Sequence, residues 1–163
     1  QPIFSLDVKW NLVNITNLQP MDRENFEWNL QAKCTNCPDE EGFSLEVNMS
    51  EEKEAPGSGK YAHFMKKCKL CWRVNTITIV KDFVAPYTIY GNERFQPVLK
   101  IDCNGIEPYE FHLRGLWKGV GPNSNTQFEN IDLNEEWTDY DEKIQEAVEI
   151  NSFDYRFTHA NKK

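Results

Sequence analysis

The chain has 163 residues, of which 39% are hydrophobic, 13% aromatic and 27% charged, enough apolar material for one core and too little length for several independent modules. No stretch approaches the roughly 18 apolar residues of a membrane-crossing helix. With 18 basic and 26 acidic side chains the net charge is -8, which argues against a phosphate backbone as partner. The charge is uneven: through Phe128 there are 16 acidic and 14 basic residues, and from Glu129 onward 10 acidic and 4 basic. The acidity of the last fifth reads as a solvated face ahead of an acidic docking patch.

In chain order, the dominant period is two. Phe4, Leu6, Val8, Trp10 and Leu12 alternate with polar neighbours and predict a half-buried antiparallel strand. Trp28, Leu30 and Ala32 lead as a second strand into Cys34, and Phe43, Leu45, Val47 and Met49 form a third. The segment from Glu51 to Lys60, with Pro56-Gly57-Ser58-Gly59, reads as a loop. Ile77 and Ile79 follow Cys71, and further alternations run through Leu99, Ile101 and Cys103, then Tyr109, Phe111 and Leu113. Gly115 to Asn125 reads as a second loop. A short helix is predicted from about Tyr140 to Glu149, capped by Thr138 or Asp139 with Ile144, Ala147 and Val148 on one face. Phe153, Tyr155 and Phe157 close the chain as a last strand. Glu24, Phe26, Leu30 and Cys34 recur at an offset of 69 as Glu93, Phe95, Leu99 and Cys103. The expected architecture is a mainly β, antiparallel, sandwich-like single body over 1–163, with a duplication into halves of about 1–85 and 86–163 as a further reading.

The most informative feature is a pair of CxxC turns, Cys34-Thr35-Asn36-Cys37 and Cys68-Lys69-Leu70-Cys71. Each turn presents two sulfurs on one side of a tight loop, and two such loops give the tetrahedral four-sulfur shell that zinc prefers. The expected ligands of one zinc ion are therefore Cys34, Cys37, Cys68 and Cys71. Four thiolates close the shell and leave no position for water, so the site is structural rather than hydrolytic. Zinc with four thiolates carries a formal charge of -2, which Lys33, Lys66, Lys67 and Lys69 are placed to offset. A knuckle ordinarily has a small residue after its second cysteine. Here Pro38 and Trp72 stand there, and Pro38 has no N–H to offer a sulfur, so one knuckle is expected to be irregular.

The rival chemistry is thiol redox, but neither CxxC is followed by the helical pattern that lowers a reactive cysteine's pKa in thioredoxin-like proteins. Cys103 reads as a small buried hydrophobe. His63, His112 and His159 match no metal-binding spacing, and no nucleophile elbow, phosphate loop or dinucleotide fingerprint is present. The chain is expected not to be an enzyme. An odd cysteine count, four of them in two close pairs, suits a metal site in a reducing compartment better than a disulfide framework. The first residues lack the basic and continuous apolar regions of a secretion leader, and a cytoplasmic protein is expected.

Ile15-Thr16-Asn17-Leu18-Gln19-Pro20, Phe26-Glu27-Trp28 before the first cysteine pair, Lys67-Cys68-Lys69-Leu70-Cys71, Gly105-Ile106-Glu107-Pro108 and Trp137-Thr138-Asp139-Tyr140-Asp141-Glu142-Lys143 occur in this order. Together they resemble the eukaryotic CXXC-motif-containing zinc-binding protein family along nearly the whole chain. The resemblance implies a mainly β, single-unit intracellular protein, one zinc on the four cysteines and no established enzyme activity. Pro38 and Trp72 depart from the small residue that members carry after each pair. The function expected is a non-catalytic module that binds a protein partner as a monomer, without nucleic acid or membrane. The alternative is a metal-handling or thiol-redox protein that uses the two cysteine pairs.

Overall fold

The computed structural model describes residues 2–37, 41–54 and 59–160. Fourteen strands appear among them: β1 (Ile3–Val13), β2 (Thr16–Pro20), β3 (Trp28–Cys34), β4 (Phe43–Val47), β5 (Lys53–Glu54), β6 (Tyr61–Ala62), β7 (Phe64–Lys67), β8 (Val74–Val84), β9 (Gln96–Asn104), β10 (Ile106–His112), β11 (Leu116–Val120), β12 (Gln127–Asp132), β13 (Trp137–Asp141) and β14 (Glu146–Ala160). All the alternating segments of the sequence are strands, and every strand pairing is antiparallel.

A six-stranded sheet has the order β13-β14-β1-β9-β8-β7, and three-stranded sheets are ordered β10-β3-β4 and β12-β11-β2. Period-two patterning sends one face of each sheet inward. Where the sheets meet, one aromatic side chain from each interlocks. Trp117 of β11 stands edge-on to Trp10 of β1 at 5.6 Å and to Trp28 of β3 at 6.0 Å between ring centroids. All three are at most 2% exposed. The Tyr87 hydroxyl, also buried, shares its one proton between the Arg94 carbonyl at 2.8 Å and the Trp10 carbonyl at 3.0 Å, so the phenol is not stranded in the core.

Three expectations are corrected. Tyr140 to Glu149 forms no helix; it is the hairpin of β13 and β14, with Trp137 opposite Ile150 and Asp141 opposite Glu146. The acidic residues taken for a helical first turn instead shape a β-turn. The Asp141 carboxylate, fully buried, accepts from the Ser124 and Thr126 hydroxyls and the Lys143 backbone N–H, and Gln145 takes φ 56° in the turn. Ser124 foremost holds the Asp141 pKa below the ordinary carboxylate value. Gly115 to Asn125 is also not wholly a loop, because β11 lies inside it as the middle strand of its sheet. In the expected loop from Glu51 to Lys60, Lys53 and Glu54 form β5, and residues 55–58 lie outside the described residues.

The route from β9 to β10 places the cysteines. β9 lies in the six-stranded sheet and β10 in the β3-containing sheet, and they join at Gly105. Gly105 has φ +76°, and a Cβ there would lie 2.3 Å from the Asn75 Oδ1 atom, so only glycine fits this corner. Cys34 ends β3 opposite Ile106, and Thr35 donates its N–H to the Gly105 carbonyl at 3.0 Å. On the other sheet, residues 68–73 are the turn between β7 and β8, whose Thr76 pairs with Asn104. Both cysteine turns thus converge on the corner where the chain crosses between sheets.

Candidate metal centre

The four sulfurs of Cys34, Cys37, Cys68 and Cys71 all lie within 4.8 Å of one another. Two separations cross between the turns: Cys34 to Cys71 at 3.7 Å and Cys37 to Cys68 at 3.8 Å. Both are far longer than a disulfide bond of about 2.05 Å. They equal the edge, about 3.8 Å, of a tetrahedron with metal–sulfur bonds of about 2.3 Å. The donor set fits zinc: four soft thiols in a closed arrangement at the size its coordination requires. Cys34 is buried and the other three are half-buried.

Trp72 resolves the second knuckle. It adopts φ +66°, the left-handed conformation that a glycine would supply, and so turns the loop as glycine would. Its N–H donates to the Cys68 carbonyl at 2.9 Å, and the Cys68 N–H donates to the Arg73 carbonyl at 2.8 Å. The Arg73 N–H, followed by the Asn36 side chain, draws the Cys71 thiol down to about 6. Burial and then the sulfurs of Cys71 and Cys68 push Cys37 up to about 12. The surroundings thus hold Cys71 toward the thiolate and Cys37 toward the thiol, and a divalent ion at the centre would favour thiolates. In the first knuckle the Cys37 N–H donates to the Cys34 carbonyl at 3.3 Å; Pro38 lies outside the described residues.

The geometry and the family agree. A family model described as CXXC motif containing zinc binding protein, eukaryotic, matches residues 5–158. The chain belongs to this family. A UPF0587 protein of Caenorhabditis elegans is 41% identical over 158 residues, covering 96% of this chain and 95% of that one. The human CXXC motif containing zinc binding protein is 38% identical over 156 residues, covering 95% and 94%. The crystal structure of C1orf123 superimposes with a TM-score of 0.88 at 36% identity, over 97% of this chain and 99% of that one. A hypothetical protein from Plasmodium falciparum shares the fold, with a TM-score of 0.83 at 19% identity over 96% and 99% of the two chains.

Within this CXXC zinc-binding family member the flanking lysines do more than surround the sulfurs. Lys33 Nζ lies 5.6 Å from the Tyr109 ring centroid, Lys66 Nζ 3.9 Å from that of Phe43, and Lys67 Nζ 5.0 Å from that of Trp72. The remaining candidates stand apart from the cluster. Cys103 is fully buried in the main core, where burial pushes its thiol pKa far up. His63 Nδ1 accepts the Ile79 backbone N–H at 2.9 Å and fastens β8, not a metal. His112 Nε2 meets a Glu110 carboxylate at 3.0 Å. Sequence reasoning missed Asn36, Asn75 and Gly105. Only Gly105 carried a signal, a glycine between two alternating runs.

Proposed function

We propose that this protein is a non-catalytic binding module whose structure is clasped by one zinc ion on Cys34, Cys37, Cys68 and Cys71. The observation that carries the reading is the pair of cross-turn sulfur separations, 3.7 and 3.8 Å, at the corner where two sheets meet. A cation there ties the end of β3 to the β7–β8 hairpin. With four thiolates around it, the ion has no position left for substrate or water, so its contribution is to folding rather than to turnover. Five unpaired thiols fit a reducing compartment, the cytoplasm. Among the described residues no helix is long and apolar enough to cross a membrane. The protein acts as a monomer on a protein partner.

The second reading, metal handling or thiol redox, is favoured by one observation: three of the four cysteines are only half-buried. The two readings part on metal content and thiol reactivity. Protein purified without added metal or chelator is expected to carry one zinc per chain, with four thiols reacting only after chelation or denaturation. Cys68→Ser is expected to lose zinc and thermal stability together, while Cys103→Ser keeps its zinc. Zinc that leaves on simple dialysis, or cysteine pairs that oxidise reversibly in the native protein, would hand the site to metal transfer or redox chemistry.

A further inference from the structure

From the second knuckle we infer a docking site for an acidic peptide segment that carries an aromatic or long aliphatic anchor, a site that rests on the binding-module reading above. The tip of this loop is unusually apolar for a solvated turn. Leu70 is 59% exposed and Trp72 69% exposed, two residues apart. Trp72 is also the residue in the left-handed conformation. Backbone strain and a large exposed indole both carry a free-energy cost, and folding alone calls for neither at a position that glycine fills better.

Beside the tip is a cleft of about 230 Å³, whose walls include Phe43, Lys66, Lys69, Leu70 and Asn75, with Glu41 as its carboxylate. Its volume suits one large side chain rather than a small-molecule substrate. Asn75 is 2% exposed, its Oδ1 atom turned toward Gly105, and forms the floor of the cleft rather than a contact for a ligand. A cleft sized to take one side chain favours a peptide anchor over the flat face of a lipid surface.

Charge selects the sign of the partner. The chain carries -8 overall, yet Lys66, Lys67, Lys69 and Arg73 gather at the end of β7 and in the turn that follows it, with Lys33 near the end of β3. All five are exposed. Five cations against Glu41 and the -2 of a four-thiolate zinc shell leave a positive surface to meet an acidic segment. Lys66 and Lys67 lie over the Phe43 and Trp72 rings, so carboxylates and an apolar anchor would contact one continuous surface. The cleft wall includes Cys34 and Cys68 themselves, so docking and metal binding are linked.

The test is selection of phage-displayed random dodecapeptides on the zinc-loaded full chain. Enriched sequences are expected to join at least three Asp or Glu residues to a Phe, Trp, Tyr or Leu. The strongest, made synthetically, is expected to bind at least tenfold more weakly to Trp72→Gly and to Lys69→Glu, both with normal zinc content, and not to bind the chelated protein. Loss of the acidic and apolar consensus, or undiminished binding to both variants, overturns the docking site. So does Trp72-dependent binding to phosphatidylserine vesicles without peptide binding, or a Trp72-dependent dimer in sedimentation. A chain with zinc and no peptide binding defeats this inference alone; a chain purified without zinc defeats the metal clasp beneath it.

Discussion

Trp72 shows how a residue type can mislead about a backbone. A small residue is usual after the second cysteine, yet Trp72 takes φ +66° and the loop closes with its two backbone hydrogen bonds intact. The left-handed conformation costs a non-glycine residue roughly 1–2 kcal/mol, and the Lys67 contact over the ring returns about 0.5–1 kcal/mol at an exposed site. Trp72→Gly is accordingly expected to keep its zinc and to melt at the same temperature or a few degrees higher. A scan showing a marked drop would mean the indole packs as a structural element. Gly105 is the opposite case, because φ +76° and the Asn75 contact at 2.3 Å from a would-be Cβ leave no room for a side chain. Gly105→Ala is expected to lose about 1–3 kcal/mol in a denaturant titration, with zinc affinity falling beside it because Thr35 hangs on the Gly105 carbonyl.

At the scale of elements, β8 is held by a histidine that has to stay neutral. His63 accepts the Ile79 N–H through Nδ1, and burial lowers its pKa below the ordinary 6.5. A group with a depressed folded-state pKa of this basic kind binds more protons when unfolded. Its contribution is fully present above about pH 6.5 and fades as the pH falls through the folded pKa. Melting temperature is therefore expected to decline from pH 7 to pH 5, and His63→Asn, whose Oδ1 atom can accept the same N–H, should flatten that decline. Zinc content followed over the same range separates this effect from metal loss. The period-two strands and both cysteine turns could be read from the chain, since alternation and CxxC spacing are local signals. The β13–β14 hairpin could not: its helical look came from acidic residues around Tyr140, and what fixes it is the distant pair Ser124 and Thr126 on Asp141. β11 was likewise hidden by its glycines, because the partner that makes Trp117 a core residue is Trp10, over a hundred residues away.

Across the whole molecule the sulfur cluster and the aromatic cluster hold the sheets at different places. Trp10, Trp28 and Trp117 join all three larger sheets through the core, while the four cysteines join two of them at one corner. Chelation should therefore loosen the protein locally before it unfolds globally. Hydrogen exchange of chelated protein is expected to accelerate most in residues 34–37, 64–76 and 104–106, with β1 and β14 still protected. Uniform acceleration would show that the metal governs the entire fold. Structural zinc of this type contributes on the order of 10 kcal/mol, as much as many domains have in total, so the choice between these outcomes depends on how much the aromatic core retains alone.

β1 is hydrogen-bonded on one side to β9 and on the other to β14, with Ile3 facing Ala160. β1 thus waits for one of its two neighbours until β14, far later in the chain, has been made. During that interval Leu6, Val8 and Trp10, buried in the finished protein, belong to a strand with an open edge. Such an edge invites pairing with other chains, and pairing at this sequence separation is slow. Synthesis of this protein therefore has a vulnerable period whose length is set by translation speed, and premature stops before β14 should yield aggregates rather than a shortened fold.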